Sequence, residues 1–188
     1  MSGVRPSVTK TCLVVEDDTR LRAVLDEALA ALGFHVVLAG SVADAVTRLC
    51  ASPPSLLLLD VALPDGRALD VLEVASRLAP SPLVIAMSGA AGPDESFALA
   101  ERGVRAFLKK PLDLARLEDA IERAFSTPPD LVPHLRASVG LQPIQAIEER
   151  VRTTLVEEAL AKSSGNRRSA ARTLGISRQL LQHILRKG

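Results

Sequence analysis

Residues 56–60 read Leu-Leu-Leu-Leu-Asp, and no other stretch constrains the fold as tightly. Four consecutive leucines present apolar side chains to both faces of an extended segment, so both faces must be covered. A half-solvated antiparallel strand alternates apolar with polar; this one does not. Such a strand belongs in the middle of a parallel sheet layered between helices.

The rest of the first 125 residues agrees with that demand. Short aliphatic runs at 11–15, 35–39, 56–60, 83–87 and 106–109 alternate with helical patterns at 20–32, 42–50, 68–78, 94–102 and 114–125. Gly33 closes the first helix. Ser41 with Asp44 three residues later resembles a capping box, and Asp113 can cap the fifth helix. Five such βα units predict an α/β fold with a doubly wound, five-stranded parallel sheet.

From Ser126 to Pro143 the character changes, with Pro128, Pro129, Pro133, Pro143 and Gly140 interrupting any helix. This predicts a stiffened, partly extended linker over 126–142. Beyond it Ile144, Ile147, Val151, Leu155 and Ala159 recur at helical spacing to about 162. Two short helices follow at 167–174 and 178–186, separated by Gly175-Ile176-Ser177. The expected organisation is an α/β domain over 1–125, the linker, and a small all-α domain over 143–188.

Charge separates the two ends. Residues 1–125 carry 13 basic and 17 acidic side chains, whereas residues 143–188 carry 9 and 4. From Ser163 onward there are six bases and no acid. An acidic domain joined to a basic one suits cation or phosphate chemistry in the first and a polyanion partner for the second. No apolar run approaches the roughly 20 residues of a spanning helix, and residues 1–10 lack the apolar stretch of a signal peptide. The expectation is a soluble cytoplasmic protein with no membrane partner. Cys12 and Cys50 lack metal-ligand spacing and are expected as buried, inert thiols.

Glu16-Asp17-Asp18 directly follows the first strand, and Asp60 ends the third. In a doubly wound sheet the carboxyl ends of the strands line one crevice, where ligands bind. Carboxylates gathered there repel one another unless a cation intervenes, and Mg²⁺ is the natural hard, oxygen-seeking occupant. Ser88 and Lys110 follow the fourth and fifth runs on the same rim. A hydroxyl and an ammonium around a carboxylate–Mg²⁺ cluster suit a transferred phosphoryl group.

The segments Leu13-Val14-Val15-Glu16-Asp17-Asp18, Leu59-Asp60-Val61-Ala62-Leu63-Pro64-Asp65-Gly66, Ala86-Met87-Ser88-Gly89-Ala90 and Ala106-Phe107-Leu108-Lys109-Lys110-Pro111 resemble, in order, a bacterial response-regulator receiver domain. The resemblance implies that Asp60 is the phospho-acceptor, taking its phosphoryl group from a phosphohistidine on a partner sensor histidine kinase. It implies that Glu16, Asp17, Asp60 and the carbonyl of Ala62 hold Mg²⁺, with Asp18 a lesser candidate. Lys110 would pair with the acyl phosphate and precede a cis proline. Ser88 would move toward the phosphoryl oxygen, and Phe107 would swing inward behind it. In this family the residues two beyond the acceptor and two beyond the hydroxyl flank the hydrolytic water. Here they are Ala62 and Ala90, which cannot orient water, so slow self-dephosphorylation is expected.

The C-terminal pattern of short helix, Gly-containing turn and short helix fits a helix-turn-helix. Ala170 and Ala171 allow close packing, and Leu174, Ile176, Leu181 and Leu185 are the expected miniature core. Arg167, Arg168, Arg172, Arg178, Arg186 and Lys187 are candidate phosphate contacts. Arg178, Gln179 and Gln182 start the second helix and are the candidates for base edges, with Ser177 as its cap and a backbone donor to phosphate. Residues 158–178 resemble the Fis-type helix-turn-helix. The whole chain is similar to the RegA/PrrA/ActR group of two-domain response regulators. That resemblance implies double-stranded DNA as partner and a homodimer paired through the helix over 144–162. Gln182, His183 and Ile184 depart from the more basic or aromatic residues usual there, which predicts modest DNA affinity.

Other classes fit less well. A flavin carrier on the same sheet lacks both a Gly/Ser/Thr-rich first loop and a Trp or Tyr to stack on the flavin. No Gly-x-x-x-x-Gly-Lys-Ser/Thr signature is present, which argues against a P-loop ATPase domain. The chain thus reads as a regulator rather than an enzyme. The alternative is a phosphorylation-dependent regulator whose helical module binds protein instead of DNA.

Overall fold

A computed structural model describes residues 10–89, 99–100, 102–128 and 131–187. The chain divides into two compact units, Met1–Pro128 and Pro129–Gly188.

In the first unit the elements run β1 (Lys10–Val15), α1 (Thr19–Ala31), β2 (Phe34–Ala39), α2 (Val42–Ala51), β3 (Leu56–Asp60), α3 (Ala68–Ser76), β4 (Leu83–Ser88), β5 (Val104–Lys109) and α4 (Leu114–Ser126). The helix expected over 94–102 falls mostly outside the described residues. The five strands are parallel in the order β2-β1-β3-β4-β5. The chain reverses direction of travel between β1 and β3, which opens a crevice at their carboxyl ends.

The leucine run behaves as its pattern requires. Leu57 and Leu59 face one layer with Leu13, Val15 and Ala86, against Ala45 and Leu49 of α2 and Val71 and Leu72 of α3. Leu56 and Leu58 face the other with Cys12, Val14, Ile85 and Met87, against Leu25 and Leu29 of α1 and Leu117 and Ile121 of α4. All four leucines are fully buried. Each such side chain contributes on the order of 2 kcal/mol by leaving water.

Helix ends follow local chemistry. Gly33 takes φ +84° after α1, a conformation that a Cβ penalises. The Asp113 carboxylate accepts from the Ala115 amide at 2.9 Å, capping α4. Ser41 Oγ accepts from the Asp44 amide at 3.1 Å, but the reciprocal arm of the expected box is not made. Asp44 pairs instead with Arg48, 2.9 Å away and one turn on.

The thiols divide. Cys12 is buried in the sheet, and burial pushes its pKa up to about 12. Cys50, expected to be buried, is exposed, because the last turn of α2 carries it on the outer face while Leu49 takes the inner one.

The second unit contains α5 (Val132–Ala137), α6 (Ile144–Lys162), α7 (Arg167–Thr173) and α8 (Arg178–Lys187). The helix α5 lies inside the segment expected to be extended. Pro133 sits in its first turn, where a missing N–H costs no hydrogen bond. The miniature core comprises Val156, Ala159, Ala170, Ala171 and Leu181, with Leu160, Leu174, Ile176 and Ile184 packed on it. Ile184 therefore replaces Leu185, the expected member, which is exposed. Positions 184 and 185 both lie on the side of α8 that Leu181 presents, so the roll of the helix onto its neighbours, not the spacing, decides between them.

Candidate functional site

The carboxyl edge of the sheet brings the acidic residues together. The amide of Glu16 donates to the Ala39 carbonyl at 3.1 Å, that of Val61 to Met87 at 2.9 Å and that of Lys110 to Ser88 at 2.8 Å. These bonds extend the strand register one residue past each strand end, so residues far apart in sequence share one rim. Glu16, Asp17 and Asp60 each offer an oxygen within 4.8 Å of the others. Glu16 and Asp60 are buried, and Asp17 is exposed.

Lys110 reaches into this cluster. Its Nζ lies 2.8 Å from Asp60 Oδ2, a hydrogen bond, and 2.6 Å from Glu16 Oε2. The second contact is an ion pair without hydrogen-bond geometry, so Glu16 Oε2 is buried with no hydrogen bond. Burial pushes the Glu16 carboxyl above its ordinary pKa; Lys110 opposes the rise and the Asp60 charge adds to it. Burial also works to lower the Lys110 pKa, but the two carboxylates outweigh it and hold the ammonium above the usual lysine value. The remaining Asp60 oxygen, Oδ1, accepts from the Ala62 amide at 3.1 Å. The Lys110–Pro111 peptide is cis, as the resemblance implies.

The donor set fits a hard divalent cation. Three carboxylates face one ammonium, and a buried carboxylate oxygen lacks a hydrogen-bond donor. All the available ligands are oxygens, and an exposed flank at Asp17 leaves room for the waters that Mg²⁺ retains. Asp18 is committed elsewhere: Oδ1 accepts from the Arg20 and Leu21 amides at 2.8 and 3.1 Å and caps α1. Those backbone donors hold its carboxyl below the ordinary range.

Ser88, half-buried, ends β4 on the same rim. Phe107 points outward from β5 and is 41% exposed. Ala62 is exposed beside Asp60, and Ala90 lies outside the described residues.

Two contributions to this rim escaped sequence reasoning. Asp65 accepts from the Val42 and Ala43 amides at 2.9 and 3.2 Å, tying the loop after Asp60 to the start of α2. Gly66 allows that approach, since a Cβ there would meet Val42 at 3.2 Å. The Arg22 guanidinium donates to the main-chain carbonyls of Glu16 and Asp17 at 2.5 and 3.3 Å. Asp65 and Gly66 end the segment Leu59–Gly66, but their partner 23 residues earlier is set by the strand order.

In the second unit the candidate DNA-contacting residues lie on the two short helices. Arg167, Arg168, Arg172, Arg178, Gln179 and Arg186 are exposed, Gln182 is half-buried, and the Lys187 side chain lies outside the description. Ser177 Oγ accepts from the Leu180 amide at 3.1 Å and caps α8. Asn166, unremarked in the sequence, caps α7 by accepting from the Arg168 and Ser169 amides, both at 3.1 Å. The turn closes as a Schellman motif: the Ile176 amide donates to Ala171, the Gly175 amide donates to Arg172, and Gly175 takes φ +65°. Along α6, Ile144, Val151 and Leu155 stay exposed and line an apolar groove of about 710 Å³ with Ile147, Ile176 and Leu180.

Comparison with known proteins places both units. Residues 12–122 match the response regulator receiver domain, and residues 152–187 match the Fis family of bacterial regulatory proteins. The DNA-binding transcriptional regulator NtrC of Azospirillum brasilense is 34% identical over 125 residues, 65% of this chain and 26% of that protein. The chain thus spans about a quarter to a third of the NtrC proteins it matches. The acid tolerance regulatory protein ActR of Rhizobium meliloti is 29% identical over 95% of this chain and 87% of its own. The photosynthetic apparatus regulatory protein RegA of Cereibacter sphaeroides is 29% identical over 95% and 91%. Among solved structures, a CheY-like receiver domain from Methanospirillum hungatei superposes with a TM-score of 0.59 at 27% identity, covering 61% of this chain and 92% of that one. Neither matched family is an enzyme family. With the five-stranded receiver fold, the acidic rim and a Fis-type helix-turn-helix in one chain, this protein belongs to the two-component response regulators, among relatives of the ActR and RegA kind.

Proposed function

We propose that this chain is a phosphorylation-controlled transcription factor, with 1–125 as receiver, 126–142 as linker and 143–188 as DNA-binding module. Asp60 is the phospho-acceptor. Its carboxylate attacks the phosphorus of a phosphohistidine on a sensor kinase; the P–O bond to Asp60 forms as the P–N bond to imidazole breaks. Glu16 and Asp17 hold Mg²⁺ together with Asp60 and the Ala62 carbonyl. When bound, the ion neutralises charge on the phosphoryl oxygens. Lys110 already spans Glu16 and Asp60, so its ammonium is in reach of the acyl phosphate without rearranging. Ser88 and Phe107 carry the signal outward, the Phe107 ring starting from an exposed position on β5. The single observation that supports this reading most is a buried Asp60 paired with Lys110 at 2.8 Å inside an oxygen-rich cluster.

On the DNA side, Arg178, Gln179 and Gln182 read base edges, while Arg167, Arg168, Arg172, Arg186, Lys187 and the backbone amide of Ser177 grip phosphates. The exposed stripe of α6 supports a homodimer, whose two recognition helices would lie about 34 Å apart on DNA. Among the described residues no helix is long and apolar enough to cross a membrane, which accords with a cytoplasmic regulator.

The test is a DNA titration with and without a small phosphodonor and Mg²⁺, on wild type and Asp60→Ala, with intact-mass detection of the phosphoryl group. The reading expects a labile phosphate on wild type alone, together with a donor-dependent change in DNA affinity. No labile phosphate on wild type, or an equal donor response in Asp60→Ala, rejects it. DNA affinity that hardly varies with salt would instead favour a protein-binding module.

A further inference from the structure

The contacts of Arg22 carry an inference beyond the residues that touch a cation or phosphoryl group. Glu16 and Asp17 leave β1 at its carboxyl end and enter a loop only three residues long before α1 begins at Thr19. The side chains of both face the acidic cluster. Their main-chain carbonyls are both taken by one guanidinium nitrogen, Arg22 Nη1, at 2.5 and 3.3 Å. The second nitrogen, Nη2, lies 3.4 Å from Thr19 Oγ1. Arg22 itself sits on the first turns of α1 and is half-buried.

Gly40 makes the space for that guanidinium. It follows β2, the strand whose last carbonyl, Ala39, accepts the Glu16 amide. A Cβ at position 40 would lie 2.6 Å from Arg22 Nη1 and 3.4 Å from its Cζ. Gly40 does not need glycine for a left-handed φ; it needs it for close approach. The loop is therefore fixed from both sides, by Ala39 through the Glu16 amide and by Arg22 through the next two carbonyls.

We infer that Arg22, seated on Gly40, is a positioning residue that sets the orientation of Glu16 and Asp17 for Mg²⁺ and thereby sets affinity and selectivity for the ion. The inference rests on the Mg²⁺ reading of the acidic rim given above. Groups behind metal ligands orient them, and their loss typically weakens binding by about 10–100-fold. Arg suits the role because one terminal nitrogen serves both carbonyls while the other, held in the same plane, reaches Thr19 Oγ1, an arrangement that a lysine ammonium does not reproduce.

Electrostatics alone predicts the opposite sign. Arg22 is a cation behind a cation site, so removing it as a mere charge would tighten Mg²⁺ binding. The sign of the change separates the two roles. Gly40→Ala adds a second separation, since it displaces the guanidinium without removing its charge.

The experiment is calorimetric titration of the full chain with Mg²⁺ and, separately, Ca²⁺, the fold of each variant being checked by circular dichroism. The expected result is an Mg²⁺ Kd raised roughly tenfold or more in Arg22→Met and in Gly40→Ala, with Arg22→Lys in between. Ca²⁺, which tolerates irregular geometry, should lose less than Mg²⁺. A variant that is only less stable, but folded, would not change that preference. Arg77→Met, which removes an exposed charge paired with Glu73 on α3, serves as control and should leave both constants unchanged. Mg²⁺ binding in Arg22→Met as tight as in wild type, or tighter, overturns the inference, as does an equal loss for both ions. If wild type binds no Mg²⁺, or Asp17→Ala binds it as well as wild type, the reading of the rim falls with it.

Discussion

The two units solve the problem of burial differently. The receiver wraps both faces of one sheet, so a strand such as β3 has no solvent side and its polar terminus is held in a pocket. The helical unit has a core of five buried residues and leaves Ile144, Val151 and Leu155 of its longest helix uncovered. Among the described residues, the first unit gathers its buried charge at the acidic rim. The second is open along an apolar stripe and across a field of arginines. Under the proposed function, a cation and phosphoryl group would complete the first, and a second subunit and a polyanion the second.

The largest effect that could break this contrast lies in the sheet. Leu58→Ala should cost about 2–5 kcal/mol of receiver stability in denaturant unfolding, because neighbours on both sides hold the cavity open. Leu141→Ala in the helical unit, 79% exposed, should stay within about 0.5 kcal/mol. Comparable losses at the two positions would mean that the helical unit is closed as well.

Next in size is the effect of cation binding. Mg²⁺ at a hundredfold excess over its Kd should stabilise wild type by about 2.7 kcal/mol and Glu16→Gln far less. Without metal the sign reverses. Glu16 has a raised pKa in the folded protein, so its ionised form costs stability as pH rises through that value. Metal-free Glu16→Gln should therefore melt above wild type at neutral pH, and the two should converge below the ordinary carboxylate pKa of about 4.3. Melting curves with and without chelator check both halves.

Smaller effects test the open unit. Leu155→Asp should leave the helical content unchanged and weaken self-association, seen in sedimentation as a shift toward monomer at the same concentration. Arg172→Ala should lower the salt slope of DNA binding by about one, weakening all sequences alike. Ser164 takes φ +49° at the end of α6, so Ser164→Gly should add roughly 1 kcal/mol to the stability of the helical unit. A loss there would mean that the Ser164 side chain makes a contact worth more than the strain.

The chain alone determined which segments could be strands and helices. Leu56–Leu59 demanded cover on both faces, and Asp113, Ser41 and Ser177 marked helix starts whatever surrounded them, because caps and periodicity act within a few residues. It also determined that carboxylates would cluster, since residues that end parallel strands share an edge. Only tertiary structure decided what those groups touch. The order β2-β1-β3-β4-β5 sets Lys110 between Glu16 and Asp60, puts Gly40 under Arg22 and ties Asp65 to Val42. The choice of Ile184 over Leu185, and the exposure of Cys50, came from how a helix rolls onto its neighbours. Such contacts join positions tens of residues apart, and no local pattern encodes a distance that the packing of the sheet and its helices has yet to fix.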